Sequence, residues 1–357
     1  MSLDSPGPTD PALGRPCTVL SRAEVTTAID RLLRSTSRLR RLAADRYPLY
    51  AVDGHWTFSR RGSWTPGFWA GLLRLTARIT ADRTDRQLAN EVSARLADRL
   101  DDDTVTRSMT FWYGAGTDRP DLSLRAARRL LATASPRQLL IPVGTAWGRA
   151  ESGRREIEVD CWGPLIRLLS WAAPELGPAA GRIVAAHTRA WLHGSITATA
   201  PVAIVERLTT ITMPPGPASR PTSSPRPAAW ALLGLAESAT ALSGIDLRLA
   251  TDCARTAVHL HRPLSCDGTS ADTSADAIGA VALHKLPTCN TAAKAVTARL
   301  VRHHLRPDGA FPGTHYRVSG PPDDPAPDAA RVESVWALFF LLLALAIDIE
   351  LIGPDEF

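Results

Sequence analysis

Residues 62–80, GSWTPGFWAGLLRLTARIT, set the pattern by which the rest of the chain is read. Beyond Pro66 the apolar residues Phe68, Trp69, Leu72, Leu73, Leu75 and Ile79 return at spacings of three and four, the period of an α-helix. The pattern is not isolated. Ser21-Arg22-Ala23-Glu24 is a capping box, and Val25, Ile29, Leu32, Leu33 and Leu39 continue it as a helical stripe. Similar stretches lie at about 86–100, 105–115, 121–134, 158–173, 178–193, 226–243, 246–262, 272–286, 290–305 and 331–350, twelve helices in all. Short breakers such as Ala173-Pro174, Ser243-Gly244 and Pro287 keep consecutive helices antiparallel and adjacent.

The exception is SITATAPVAIVERLTTITM at 195–213, whose β-branched content predicts a small strand pair or an extended loop. Two proline-rich segments, PPGPASRPTSSPRP at 214–227 and SGPPDDPAPDAA at 319–330, read as surface loops because helices of the same kind resume after each. Twelve helices in hairpins with no strand alternation predict an all-α fold, an (α/α)6 toroid of six inner and six outer helices. The expected organisation is a flexible segment over 1–20 followed by one barrel domain over 21–357.

Composition narrows the function classes. Hydrophobic residues make up 45% of the 357 and charged residues 22%, which excludes a disordered, collagenous or disulfide-scaffold chain. Of 41 Lys plus Arg only Lys285 and Lys294 are lysine, a bias that codon usage in a GC-rich genome produces, so the net charge of +5 argues weakly for an anionic partner. The densest basic stretch, Arg38, Arg40 and Arg41, has no aromatics interleaved with it, and nucleic acid is not indicated. Five scattered cysteines without a C-x-x-C pair fit neither a disulfide framework nor a zinc site, which leads to the expectation of a reducing, cytoplasmic compartment. The first residues carry no signal-peptide pattern, and the longest apolar run, Val335 to Ile347, is shorter than the roughly 18 residues a membrane span needs. Neither a membrane nor a cofactor is expected. Ten Trp against four Tyr is the informative count, because an indole offers a large flat face that stacks on sugar rings as well as filling cores.

The opening stretch resembles the W-T-x-G-F-W-x-G-x-L-W signature of unsaturated glucuronyl and rhamnogalacturonyl hydrolases, glycoside hydrolase families 88 and 105. Four further blocks follow in the family's order. VDCWGPLIRLLSWA (159–172) is similar to I-D-x-M-M-N-L-x-L-L-x-W-A, and SPRPAAWALLGLAESATALSG (224–244) to A-R-G-Q-A-W-x-x-Y-G-F. DTSADAIGAVALHKL (272–286) is similar to D-S-S-A-x-A-I-x-A, and ESVWALFFLLLALA (333–346) to W-G-D-Y-Y-x-x-E-A-L. The resemblance implies the same (α/α)6 barrel independently of the helix count. It also implies hydration of the enol-ether double bond of a 4,5-unsaturated uronic acid rather than ordinary cleavage between two flanking carboxylates.

Such chemistry needs one carboxyl group that protonates the alkene carbon and then activates water, with a pKa near working pH. Asp160 stands where the family keeps that residue. The competing reading of Asp160 is a helix N-terminal carboxylate that complements the dipole. Arg226 and Trp230 match the Arg and Trp of A-R-G-Q-A-W, residues implicated in substrate contact; a guanidinium fork suits a uronate carboxylate and an indole a sugar face. Trp64, Trp69, Phe111, Trp112 and Trp162 complete the expected lining of a pocket for a sugar-like small molecule.

Departures from the family pattern are concentrated in its polar positions. Where H-D-x-G-F is expected, alignment on Phe111 puts Arg107 and Ser108, so the second carboxylate is missing from that place. Ala228 replaces the Gln, His193 replaces an acid of the substrate loop, and Ala337 and Leu338 replace Gly and Asp of the closing block. An R-P-D-G string occurs at Arg306 to Gly309, out of the family's order, and reads as a turn. Asp101-Asp102-Asp103 has no second metal motif and reads as a solvated face, while His259-x-His261 and His303-His304 lack the i, i+4 spacing of paired ligands, so no metal is expected. Ser108 has no base or elbow motif, and a serine hydrolase is not indicated. The residues leave open a hydrolase-like enzyme, a catalytically silent binding or scaffold protein on the same fold, and a cyclase or isomerase using an aromatic pocket. The oligomeric state is not legible.

Overall fold

The computed structural model describes residues 19–146, 153–195, 210–212, 225–266, 272–316 and 330–357. Residues 1–18 of the expected N-terminal segment, and nearly all of both proline-rich loops, lie outside the described residues.

Twelve α-helices are present among the described residues: α1 Arg22–Ala43, α2 Pro66–Thr80, α3 Arg83–Arg95, α4 Arg107–Gly114, α5 Pro120–Ala132, α6 Trp162–Leu176, α7 Pro178–Ser195, α8 Arg226–Leu242, α9 Leu247–Cys266, α10 Thr273–His284, α11 Asn290–His303 and α12 Val335–Asp348. The even-numbered helices pack in a closed ring, α2 on α4, α4 on α6, α6 on α8, α8 on α10, α10 on α12, and α12 back on α2. Each odd-numbered helix lies outside this ring against an even neighbour, with α1 completing the last pair on α12. The chain is an (α/α)6 barrel.

The two rings differ as their sequences require. Every residue of α12 from Val335 to Ile347 is buried, as is every residue of α10. In α1 only one face, Val25, Ala28, Ile29, Leu32 and Leu39 among it, is covered. An all-round apolar helix belongs inside and an amphipathic one outside. The predicted capping box holds α1: Ser21 N–H donates to Glu24 Oε2 at 2.7 Å and Glu24 N–H to Ser21 Oγ at 3.3 Å.

Close approach of inner helices relies on glycines, of which two show it best. A Cβ on Gly67 would stand 2.5 Å from Thr110 Cα, where α2 meets α4, and one on Gly234 would stand 2.3 Å from the Trp162 ring, where α8 meets α6. The barrel axis is filled by rings from four helices. Phe68 lies 5.2 Å from Tyr113 and 6.4 Å from Trp230, and Trp230 lies 5.5 Å from Phe340, centroid to centroid. Full burial pushes the Tyr113 hydroxyl pKa well above its ordinary value. The inner helices all begin at one end of this plugged barrel.

Short strands decorate that end. β1 (Tyr47–Val52) and β2 (His55–Ser59) form a hairpin across Asp53-Gly54, both at positive φ, as a primed two-residue turn demands. β1 also pairs with β6 (Ala330–Ser334), and β6 with β5 (Thr314–Tyr316), giving an antiparallel sheet in the order β2-β1-β6-β5. The helical pattern did not predict this sheet, although the Asp53-Gly54 pair was its signal. In the segment read as a strand pair or loop, β4 (Thr210–Thr212) pairs with β3 (Glu156–Glu158) rather than within itself; residues 196–209 lie outside the described residues. Arg306 to Gly309 is a turn, with Gly309 N–H donating to Arg306 O at 2.9 Å.

Candidate active site

Because inner and outer helices alternate, all six inner helices run in one direction, and their N-termini meet at the mouth of the barrel. Trp64 precedes α2, Thr106 precedes α4, Asp160 precedes α6, Arg226 opens α8, and Asp272 and Ser334 cap α10 and α12. Helix N-termini carry unpaired N–H groups and a partial positive charge, so this rim favours anionic groups.

A cavity of about 240 Å³ opens there. Asp160 and Trp64 line it, with Thr106 and Met109 of the α4 end, Val143 and Cys161. Glu158, which no motif in the sequence singles out, lines it too. Its signal was the alternation in Glu156-Ile157-Glu158, in which Ile157 is buried and the two acids are half-buried on the other face. Asp160 lies in a single 3-10 turn, Val159–Cys161, between β3 and α6, flanked on both sides by buried residues. It stands one residue before Cys161, the N-cap of α6, which makes no side-chain capping bond.

The other expected pocket residues are placed deeper. Trp69, Phe111, Trp112, Trp162 and Trp230 are each at most 2% exposed and belong to the core. Trp162 stacks on Trp191 of α7 at 5.8 Å, between the two helical rings, and Trp112 carries the Arg167 guanidinium 5.4 Å above its ring. Trp230 sits in the axial plug. Arg226 is at the mouth but does not line the Asp160 cavity: its Nη1 donates to His315 O at 3.0 Å and lies 3.9 Å from Asp272 Oδ2. His193 falls in α7, with a side chain outside the described residues. From Trp64 a run of rings leads along the sheet, to Trp336 at 4.8 Å, then Tyr316 at 5.4 Å and Tyr50 at 5.2 Å.

Ser108, where the resemblance expects an acid, is fully buried and its Oγ donates to Val105 O at 2.8 Å. Arg107 donates to Asp102 O, and burial lowers its pKa against the pull of Asp103. The three consecutive acids lie on a solvated face, with Asp101 and Asp103 exposed, and each has a partner there: Asp101 with Arg129 at 2.9 Å, Asp102 with Arg61 at 2.6 Å, and Asp103 with the Thr145 hydroxyl at 2.6 Å. Among the described residues no group of His, Cys, Asp or Glu is arranged to hold a metal ion, and no helix is long and apolar enough to cross a membrane.

No family model and no curated protein matches the sequence. Solved structures do. An unsaturated glucuronyl hydrolase responsible for the degradation of glycosaminoglycan, from Bacillus sp. GL1, superimposes with a TM-score of 0.73 at 23% identity, covering 90% of this chain and 96% of that one. An unsaturated glucuronyl hydrolase specific for heparin gives a TM-score of 0.73 at 17% identity, over 93% and 98% of the two chains. A Streptococcus agalactiae unsaturated glucuronyl hydrolase mutant complexed with dGlcA-GalNAc6S gives 0.64 at 16% identity, over 92% of each chain. At such identities the likeness is one of fold, and in fold this chain resembles the unsaturated glucuronyl hydrolases over nearly its whole length.

Proposed function

We propose that this chain is a hydrolase-like enzyme in which Asp160 is the general acid/base for an unsaturated or otherwise activated sugar-like small molecule, in carbohydrate or specialised metabolism. The observation that carries the reading is the shared cavity: a half-buried carboxyl and an indole face, Asp160 and Trp64, line the same 240 Å³ at the barrel mouth. The volume lies just under the range of about 300–1,000 Å³ usual for drug-sized ligands, which favours one sugar ring over a long oligosaccharide. The substrate class is supported by the names of the structural neighbours, one of which holds an unsaturated disaccharide.

The chemistry conserves atoms simply. Asp160, as the acid, gives its proton to the C4 carbon of the 4,5-double bond while the ring oxygen supports the positive charge at C5. Asp160, now the base, takes a proton from water as the water oxygen bonds to C5. The C5 hemiketal so formed opens to a ketone at C5 and a hemiacetal at C1, and the hemiacetal collapses to an aldehyde, releasing the remaining saccharide as an alcohol. Trp64 offers the flat surface against which the ring stacks, and the N-termini at the rim favour the uronate carboxylate.

Incubation with 4,5-unsaturated uronyl disaccharides, followed by loss of the conjugated ultraviolet absorbance, tests the reading. Turnover by the native protein and its loss in Asp160→Asn are expected. Absence of turnover, or turnover unchanged in Asp160→Asn, sinks it; binding of the sugar without turnover assigns the cavity to a silent binding protein instead.

A further inference from the structure

A second cavity, of about 530 Å³, lies toward the opposite end of the barrel, between the second half of α2, the outer helix α3, the loop joining α4 to α5, and Glu356. It shares no lining residue with the Asp160 cavity. Small residues make the room: Ala77 and Ala81 at the end of α2 and Ala89 of α3 line it, where longer side chains would fill the gap. On the same helical stripes, at spacings of three and four, stand Arg74, Arg78 and Arg86.

Two carboxylates share this space and each is already engaged. Arg74 Nε donates to Asp118 Oδ2 at 2.8 Å, and Glu356 accepts from Arg78 and, at 2.7 Å, from Gly353 N–H. The third guanidinium, on Arg86, is exposed and makes no hydrogen bond or ion pair among the described residues. Arg74 decides the reading. Its side chain is only 3% exposed, its face lies on the Phe357 ring at 4.8 Å, and its Nη1 donates to Tyr113 O at 2.7 Å. Its Nη2 is buried and has no acceptor. Desolvation lowers the Arg74 pKa against the pull of Asp118. A buried charged donor without an acceptor costs more than an ordinary hydrogen bond returns, so the fold leaves here a group that an added anion would satisfy.

We propose that this cavity is a second binding site, for a small phosphorylated molecule whose phosphate oxygens accept from Arg86 and from Nη2 of Arg74. Three guanidinium groups against two paired carboxylates leave one cation over, and a phosphate monoester, carrying about −1.5 to −2 at pH 7, answers that surplus better than a single carboxylate. The volume falls within the range of about 300–1,000 Å³ usual for small ligands, enough for a phosphate and a body the size of one sugar ring. The amide of Asn90, on the wall beside Arg86, is a donor and acceptor for that body. The site does not depend on the reading of Asp160, and binding rather than turnover tests it.

Isothermal titration calorimetry of the full chain uses glucose 6-phosphate, inorganic phosphate, glucuronate and glucose as probes. Glucose 6-phosphate is expected to bind, glucose not, and glucuronate and inorganic phosphate at least tenfold more weakly than the ester. Arg86→Gln, a change at an exposed position, should weaken the ester about tenfold while leaving the urea midpoint where it is. The Nε–H resonance of Arg74 in nitrogen-15 NMR, assigned from its contacts with Phe357, should shift on addition of the ester. No binding of the ester, an affinity unchanged in Arg86→Gln, or an Arg74 resonance that stays in place overturns the site. Glucuronate bound as tightly as the ester overturns the choice of phosphate, and inorganic phosphate bound as tightly overturns the assignment of the remaining space to a larger molecule.

Discussion

The ammonium of Lys285 lies 2.9 Å from Glu237 Oε1, and both side chains are buried at the end of the barrel opposite the mouth. The same nitrogen donates to Pro354 O and, at 3.4 Å, to Phe357 O, while Arg167 Nε lies 3.9 Å from the other Glu237 oxygen. In a chain that writes nearly all its cations as arginine, this place keeps a lysine. A compact ammonium with three donors can serve one carboxylate and two carbonyls in a space that a planar guanidinium overfills.

Lys285→Met therefore leaves Glu237 as a buried charge short of its nearest partner, and a loss of about 3–5 kcal/mol of unfolding free energy is expected in urea titration. Lys285→Arg is expected to lose stability as well. The double substitution Lys285→Met with Glu237→Leu should recover most of the loss, since replacing both members of a buried ion pair by apolar groups is often close to neutral. A double variant as unstable as Lys285→Met would show that the tail carbonyls, not Glu237, set the requirement for lysine.

Gly234 on α8 gives a second test of packing. An added methyl group would stand 2.3 Å from the Trp162 ring, far inside van der Waals contact. In a helix Gly→Ala ordinarily gains up to about 1 kcal/mol, whereas overpacking a close-packed core costs about 1–3 kcal/mol. The steric cost wins here because the neighbour is the body of a buried indole rather than a flexible tip. Gly234→Ala is expected to lower the urea midpoint, and in a Trp162→Leu background the same change should be neutral or stabilising.

These two sites show what was legible in the sequence. The helices were, because Val25, Ile29, Leu32 and Leu39 recur at a helical period whatever they pack against. Inner and outer rings were implicit in the contrast between the wholly apolar Val335–Ile347 and one-sided helices. The site was legible only in part. Trp162 and Trp230 present the same apolar surface whether they face a ligand or a neighbouring helix, and period alone cannot separate the two; here Gly234, 72 residues downstream of Trp162, receives the ring. Glu158 was not legible, because a strand of three residues is too short to show a period of its own. The His315 carbonyl that accepts from Arg226 is 89 residues away in sequence, a contact no local pattern encodes.

Two buried titratable groups pull the pH dependence of stability in opposite directions. Glu333 on β6 is held by desolvation at a pKa pushed up to about 7, even though it accepts Phe311 N–H at 3.1 Å. An acid whose folded pKa exceeds its unfolded value of about 4.5 favours the fold when protonated, so stability falls as pH rises from about 4.5 to 7. The difference corresponds to a few kcal/mol, about 1.4 per pKa unit. His187 on α7 is the converse: wholly buried, accepting Ile141 N–H at 2.7 Å, its pKa is lowered by desolvation to about 3. Because the unfolded imidazole protonates first, stability is lost as pH falls from about 6.5 toward 3. Glu333→Gln, which keeps an acceptor for Phe311, should be more stable than the native protein at pH 8 and indistinguishable from it at pH 4. Thermal denaturation across pH 3–9 checks both arms, and an unchanged slope above pH 5 in Glu333→Gln would refute the assignment of that arm.

Restoring the acid that the family pattern places at position 108 should fail. Ser108 Oγ has no exposed surface and points to the Val105 carbonyl at 2.8 Å, so an aspartate there would put a negative charge against a carbonyl oxygen in the core. The neighbouring guanidinium of Arg107 gives an N–H to Asp102 O. Burial of a carboxylate without a hydrogen-bonded partner costs several kcal/mol, and the group would stay protonated in preference to ionising. Ser108→Asp is expected to lower unfolding free energy by about 3–5 kcal/mol and to leave kcat/KM for an unsaturated uronyl disaccharide no higher than in the native protein. Ser108→Ala, which removes one hydroxyl bond, should cost about 1 kcal/mol and leave turnover intact. A Ser108→Asp protein that folds normally and turns over faster would show instead that position 108 opens to the cavity.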